Sequence, residues 1–313
     1  MGTYYTLTIA LVCALVQLPC ECTSAPLQSC GNDLVAAQSS PPSDISNNLR
    51  AMLESVYTGH VDRHGIHYLG FHFTEDRNVS LVLNPDGTVT YKEFAFNDPG
   101  FHTMGTRINP PADPFQAAAE GWVTATFSEL VPPGSIFNGV LIVPNGNLRI
   151  KGTLDGTITI GVFNTDGDGH QNLHPDGTLS TSGNVWIEGD ILYRSGVHGT
   201  PESGALLGIV AENHLIVAES ADNKEILVTH GVFMSTHKGA IVERLETPET
   251  SIGGSRREWH IHGEIHEGSE LDKMYGSSKG LDLVVHKDGR LITVSPPFFP
   301  DSPSRPKYSK LED

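Results

Sequence analysis

Two short runs in this sequence concentrate side chains capable of chemistry. The first, Asn164-Thr165-Asp166-Gly167-Asp168-Gly169-His170, sets oxygen-bearing side chains at its first, third and fifth positions and glycine at its sixth. That spacing opens a calcium loop, in which alternate side chains converge on one ion while glycine permits the sharp turn, so Asn164, Asp166, Asp168 and His170 are candidate calcium ligands. The twelfth position is Pro175 where a bidentate Glu would close the shell, and Asp176 is the nearest substitute. The same residues also make an ordinary Asx- and Gly-rich turn between two strands.

The second run is Trp259-His260-Ile261-His262-Gly263-Glu264-Ile265-His266. Residues two apart in a strand share a face, so Trp259, Ile261 and Ile265 point one way, and His260, His262, Glu264 and His266 the other. Neutral imidazoles spaced roughly 7 Å along a strand can share a transition metal. The alternative is the plain outer face of a half-buried strand, which alternation produces without any ligand. Gly254, His260, His262 and Glu267 match the first half of a cupin metal motif, but His286 is the one histidine downstream and the second half does not follow.

Other candidates are more diffuse. Asp166, Asp168, Glu188 and Asp190, with Arg194 as the nearest base, are the acids available to a polysaccharide-active enzyme. Asn78-Val79-Ser80 is a glycosylation sequon, usable in a eukaryotic secretory route. The segment GTPESGALLG lacks the lysine of a phosphate loop and precedes no helix. No Gly-x-Ser-x-Gly elbow selects a nucleophile, so no catalytic residue is assigned.

These residues need elements to position them. Ile45, Leu49, Met52, Leu53 and Val56 recur at three and four, which predicts one amphipathic helix over Ile45–Tyr57, capped by Ser43 or Asp44. Alternation then takes over, and Asn84-Pro85-Asp86-Gly87 predicts a hairpin. Residues 97–121 carry many breakers and read as a long surface connection with a helical turn at Phe115–Glu120. Beyond Phe137 the runs FNGVLIV, GNLRIKG, GTITIGV, GNVWIEGDI, ALLGIVAENHLIVA, EILVTHGVFM and REWHIHGEI are short, apolar and opened by turn residues. The fold class expected is mainly β: a short N-terminal α/β region, then a parallel β-helix or β-roll-like solenoid in which each strand pairs with the coil above and below. A β-sandwich or barrel is the alternative, since HPDG at 174–177 and HKDG at 286–289 read as hairpin turns. The closing TVSPPFFPDSPSRP reads as an end cap and a loose tail.

Compartment follows from the first residues. Met1 to Cys20 carries no charge, and the apolar stretch from Leu7 to Leu18 is too short for a bilayer of about 30 Å, so residues 1–24 read as a signal peptide. Cys22 and Ser24 sit at the minus-three and minus-one positions for cleavage before Ala25. The mature chain then keeps only Cys30 of the four cysteines and forms no internal disulfide. The domains expected are a linker at 25–44, a small α+β domain at 45–127, a β-helix-like domain at 128–300 and a Pro-rich tail at 301–313. Twenty basic residues against 37 acidic ones give a net charge of −17 over 313 residues, which repels phosphate backbones and excludes nucleic acid as a partner.

The run from Phe137 to Pro300 resembles the PilX-like pilus-assembly accessory proteins of bacterial surfaces, which carry a β-helical domain. The resemblance lies in FNGVLIVPNGNLRIKGTLDG, GNVWIEGDILY, ALLGIVAENHLIV, HIHGEI and the closing PPFFP, about half the chain. It implies an exported structural or adhesive domain and brings no catalytic residues. The function expected is a secreted or cell-surface structural or adhesive protein, partnered by surface-assembly proteins or glycans. The alternatives are a β-helical polysaccharide-active enzyme and a calcium- or metal-dependent carbohydrate-binding module.

Overall fold

The computed structural model describes residues 52–102, 108–163, 171–173, 179–194, 204–218, 226–236, 239–242, 257–266, 281–292 and 294–299, all within one compact unit, Ser43–Asp313. The fold is mixed α/β and dominated by strands. Helix α1, at 52–57, is the described end of the expected amphipathic helix, and it buries Met52 and Val56. It stops where Gly59 takes a φ of 65° and the Thr58 and Gly59 amides both return to the Glu54 carbonyl, a left-handed ending that glycine adopts without strain.

Strands β1 (His60–Val61), β2 (His67–His72), β3 (Arg77–Leu83) and β4 (Thr88–Ala95) follow. β3 and β4 make the expected hairpin: Leu83 pairs with Val89, the Gly87 amide returns to Asn84, and the Asp86 carboxylate accepts from the Thr88 amide. Two short helices, α2 (Pro99–His102) and α3 (Pro114–Ala119), precede β5 (Val123–Thr126). The remaining strands are β6 (Ser135–Pro144), β7 (Leu148–Leu154), β8 (Thr157–Phe163), β9 (Gln171–Leu173), β10 (Leu179–Thr181), β11 (Val185–Tyr193), β12 (Leu206–Ala211), β13 (Leu215–Val217), β14 (Ile226–Ser235), β15 (Ala240–Val242), β16 (Arg257–His266) and β17 (Leu281–His286).

Every apolar run expected to be a strand contains one, ALLGIVAENHLIVA containing two, β12 and β13, and the pairing between them is parallel apart from the β1–β2, β3–β4–β5 and β9–β10 contacts. The pairs fall into three columns. In column A, β6, β8, β12, the second half of β14 and the end of β16 follow one another. Column B holds the first halves of β7 and β11, then β13 and β15. Column C holds the ends of β7 and β11, the first halves of β14 and β16, and β17. β2 joins β6 and β3 joins β7 in parallel, so one sheet runs through both sides of residue 128.

Inside, like stacks on like. Leu141, Ile160, Ile209, Phe233 and Ile265 form one buried row of column A, and Val79, Leu148, Val185, Leu215 and Ala240 one of column B. A row of this kind removes neighbouring apolar side chains from water together, worth roughly 1.5–3 kcal/mol for each fully buried Leu, Ile or Val. Just before that column B row sits a ladder of asparagines. The Asn147 amide and Nδ2 both donate to Asn78 Oδ1, the Asn184 amide and Nδ2 both donate to Asn147 Oδ1, and the His214 amide donates to Asn184 Oδ1, all at 3.0–3.1 Å. The strands of columns A and C are continuous through Gly231 and Gly263, with φ of 145° and 153°. A Cβ on Gly263 would lie 1.8 Å from the Gly231 carbonyl oxygen, so only glycine fits this bend.

Two outer sides are covered by the chain itself. Met52 and Val56 of α1, with Phe299, pack on Val140, Ile142, Phe163, Val210 and Met234 outside column A. The Pro297 carbonyl accepts from the Thr159 hydroxyl, and Pro296 and Phe299 lie against Gly208. The PPFF segment therefore lies along column A instead of capping an end. Outside column B, Phe101, Ile108 and Trp122 pack on Trp186 and Ile216, with Phe94 and Ala117 beside them. The stretch 97–121 is thus a cover as well as a connection: its breakers shape α2 and α3, while Phe101 and Ile108 are buried among them. Asp113 caps α3 by accepting the Phe115 amide. His286-Lys287-Asp288-Gly289 is no hairpin. Asp288 accepts the Arg290 amide and starts a 3-10 turn at Gly289–Ile292. Residues 174–177 lie outside the described residues, although β9 and β10 on either side pair antiparallel as a hairpin requires.

Candidate histidine site on column C

β16 alternates as its sequence dictates, with Trp259, Ile261, Gly263 and Ile265 buried and His260, His262, Glu264 and His266 half-buried on the opposite side. The bend at Gly263 divides that polar stripe. His260 and His262 lie outside column C, whereas Glu264 and His266 lie past the bend in column A, where the His266 Nε2 pairs with Glu264 at 3.1 Å. That hydrogen bond holds the Glu264 carboxyl below its ordinary range against the opposing effect of burial.

The partners of His260 and His262 come from neighbouring strands. His230, His262 and His286 occupy one register row of β14, β16 and β17. The His262 and His286 rings stack at 4.4 Å with their planes 10° apart, and the His230 ring meets His262 edge-on at 5.1 Å. His260 Nδ1 stands 3.0 Å from His286 Nε2, and His260 Nε2 stands 2.8 Å from the Glu258 carboxylate. His230 is buried, and its Nδ1 accepts the Tyr193 amide at 3.1 Å. Tyr193 is buried too. Desolvation pushes its hydroxyl up to about 12, opposed by the Leu207 amide, which donates to the hydroxyl oxygen at 3.0 Å. Arg290 lies over the Tyr193 ring at 5.0 Å and binds Asp288 through Nε. Burial raises the Asp288 carboxyl, and the hydrogen bonds from Arg290 outweigh it, leaving the group below its ordinary range.

Sequence reasoning located His260 and His262 but missed His230 and His286 as their neighbours. A signal was present: His230-Gly231 and His262-Gly263 repeat the same dipeptide at corresponding bends, and His286 ends the next strand. Among the described residues, no group of three or more His, Cys, Asp or Glu side chains is arranged to hold a metal ion. Asn164, Asp166, Asp168 and His170, the candidate calcium ligands, lie outside the described residues, as do Gly254 and Glu267 of the cupin pattern.

The described acids considered for polysaccharide chemistry are each engaged by partners of their own. Glu188 is buried and bound by Arg149 at 2.8 Å and Lys151 at 3.3 Å, with the Arg149 guanidinium over the Phe101 and Trp186 rings at 5.2 and 5.5 Å. Asp190 accepts the Val228 amide at 3.1 Å, and the exposed Arg194 pairs with Asp155. Asp166 and Asp168 fall outside the described residues. The sequon residue Asn78 is 0% exposed and is the first rung of the asparagine ladder, where Nδ2 also donates to the Phe96 carbonyl. A glycan has no room there in the folded chain.

No helix among the described residues is long and apolar enough to cross a membrane. Compared with known proteins, the chain matches no family model, no curated protein and no solved structure.

Proposed function

We propose that this chain is an exported parallel β-helix that serves as a structural or adhesive module, holding a glycan along the outer side of column C without turning it over. The observation that carries this reading is the unequal treatment of the three columns among the described residues. Columns A and B lie under the chain's own apolar segments, whereas column C presents Glu258, His260, His262 and His286 on adjacent strands. His262 and His286 stand in one register row on neighbouring strands, at the spacing of about 4.8 Å, and together with Glu258 and His260 along β16 they suit a ligand that carries several hydroxyls. Glu188 is neutralised by two cations and Asp190 is engaged by a backbone amide, which favours binding over turnover. A place in a pilus-like surface assembly is the wider setting that the resemblance implies.

The test is retention of the full-length secreted chain on immobilised polysaccharides in the presence of a metal chelator, with reducing ends assayed in the eluate. The wild-type chain is expected to be retained on at least one glycan, and Glu258→Ala with His260→Ala to lower retention at least tenfold. Equal retention of the two proteins, or none of the wild type, overturns the binding face. New reducing ends overturn the non-enzymatic part.

A further inference from the structure

We infer that His260 and His286 form a two-histidine site for a late divalent transition metal, zinc(II) or copper(II). The inference is independent of the glycan reading and rests on three observations. First, His260 Nδ1 and His286 Nε2 are 3.0 Å apart. Two imidazole nitrogens bound to one tetrahedral zinc at 2.0–2.1 Å stand roughly 3.3–3.4 Å apart, so the pair needs to open by about 0.3–0.4 Å, and both rings, whose centroids now stand 5.2 Å apart with the two nitrogens between them, need to turn so that their lone pairs converge on the metal. Second, the Glu258 carboxylate sits 2.8 Å from His260 Nε2. A carboxylate accepts, so His260 Nε2 carries a proton, and in the neutral ring the lone pair of Nδ1 faces His286. A carboxylate behind a ligating imidazole fixes the tautomer and makes the ring a stronger donor. Third, both side chains are mounted on one frame: the two strands pair in register from Arg257 with Leu281 to His262 with His286, and His262 stacks on His286. Ligands mounted on paired strands lose little freedom on binding.

Without metal, one proton bridges the pair, carried on His286 Nε2 and donated to His260 Nδ1. Metal binding forms two metal–nitrogen bonds, shifts that proton from Nε2 to Nδ1 of His286 by exchange with solvent, so that both imidazoles stay neutral and no net proton is released, and leaves the remaining coordination positions to water. The site therefore crosses two strands, in contrast to the single-strand stripe, whose Glu264 and His266 lie beyond the Gly263 bend. Imidazole pairs of this kind favour copper(II) over zinc(II), in line with the general affinity order of the divalent ions.

The experiment is calorimetric titration of the chelator-treated full-length chain with zinc chloride alone, repeated with copper(II) and read by electron paramagnetic resonance. One equivalent of metal is expected to bind at this pair, with nitrogen coupling in the copper spectrum. His260→Ala and His286→Ala are each expected to remove that equivalent, and His266→Ala to leave it intact. Glu258→Gln, which keeps the size of a partly exposed side chain, is expected to weaken binding 10–100-fold and gives a reading even where a histidine variant fails to fold. Absence of this equivalent in the wild type overturns the site. So does an affinity unchanged in Glu258→Gln and the two histidine variants. Loss of the equivalent in His266→Ala returns the ligands to the single-strand stripe and also overturns it.

Discussion

The asparagine ladder invites a direct test, because Asn147 stands in its middle and serves neighbours on both sides. Asn147→Ala removes the Nδ2 bond to Asn78 and takes away the Oδ1 that accepts two donors of Asn184, its amide and its Nδ2. All three side chains are buried, with Asn147 at 0% exposure. Each buried donor deprived of its acceptor costs about 1–3 kcal/mol, and the lost bond adds roughly 1 kcal/mol. Partial relaxation at the turn lowers the sum, so the expected loss is about 2–5 kcal/mol, a large share of the ~5–15 kcal/mol that holds a typical domain. For a unit of this size, that corresponds to a fall in melting temperature of roughly 5–15 °C. The assay is urea unfolding of the full chain followed by tryptophan fluorescence and circular dichroism, with Asn138→Ala as a comparison outside the ladder. A loss below about 1 kcal/mol for Asn147→Ala, with an unchanged denaturant slope, would refute the claim that the ladder ties the neighbouring strands of column B together.

Gly263→Ala, which drives a Cβ into the Gly231 carbonyl at a φ of 153°, is expected to cost about 3 kcal/mol or more. Gly65→Ala, with nothing within 4 Å of its Cβ at a φ of 77°, is expected to cost about 1 kcal/mol, and equal melting temperatures for the two variants would contradict the bend. Glu188→Ala leaves the buried Arg149 without its carboxylate partner and is expected to destabilise by about 3–5 kcal/mol in the same urea assay, more than Lys151→Ala. Tyr193 provides a pH test: its folded hydroxyl pKa, about 12, lies above the ordinary value of 10.0, so its contribution is full below pH 10 and is lost as pH rises from there through 12. Unfolding midpoints at pH 8 and pH 11 are therefore expected to separate more for the wild type than for Tyr193→Phe, and an equal separation would contradict burial of the hydroxyl. Expressed in a glycosylating host, the folded chain is expected to carry no glycan at Asn78, and a glycopeptide spanning Asn78-Val79-Ser80 in the soluble protein would count against the buried ladder.

How much of this was legible in the residues differs from element to element. The Asn-Pro-Asp-Gly hairpin, the helix ending at Gly59 and each apolar strand after Phe137 are local matters of dihedral preference and period, and they stand where the sequence places them. The alternation of β16 also held, because side-chain direction along a strand depends on the backbone alone. The 97–121 stretch misled: breakers mark where regular structure stops, but they do not report that Phe101 and Ile108 have a distant apolar surface to cover. HKDG misled in a related way, since the residues of a hairpin turn also start a 3-10 turn when no returning strand is there to pair.

The chain's own order of residues therefore determined its strands, their inward and outward faces, its acidic charge and the two runs with ligand-type side chains. Tertiary structure alone decided which strands lie side by side. Register across a parallel pair depends on the length of the connection and on packing far along the chain, so nothing local announces that residues 78, 147 and 184 will stack or that His286 will stand beside His260. The Gly263 bend makes the same point in reverse: four side chains that look continuous in one dimension are parted by a turn of the backbone, and the histidine that completes the pair comes from the next strand.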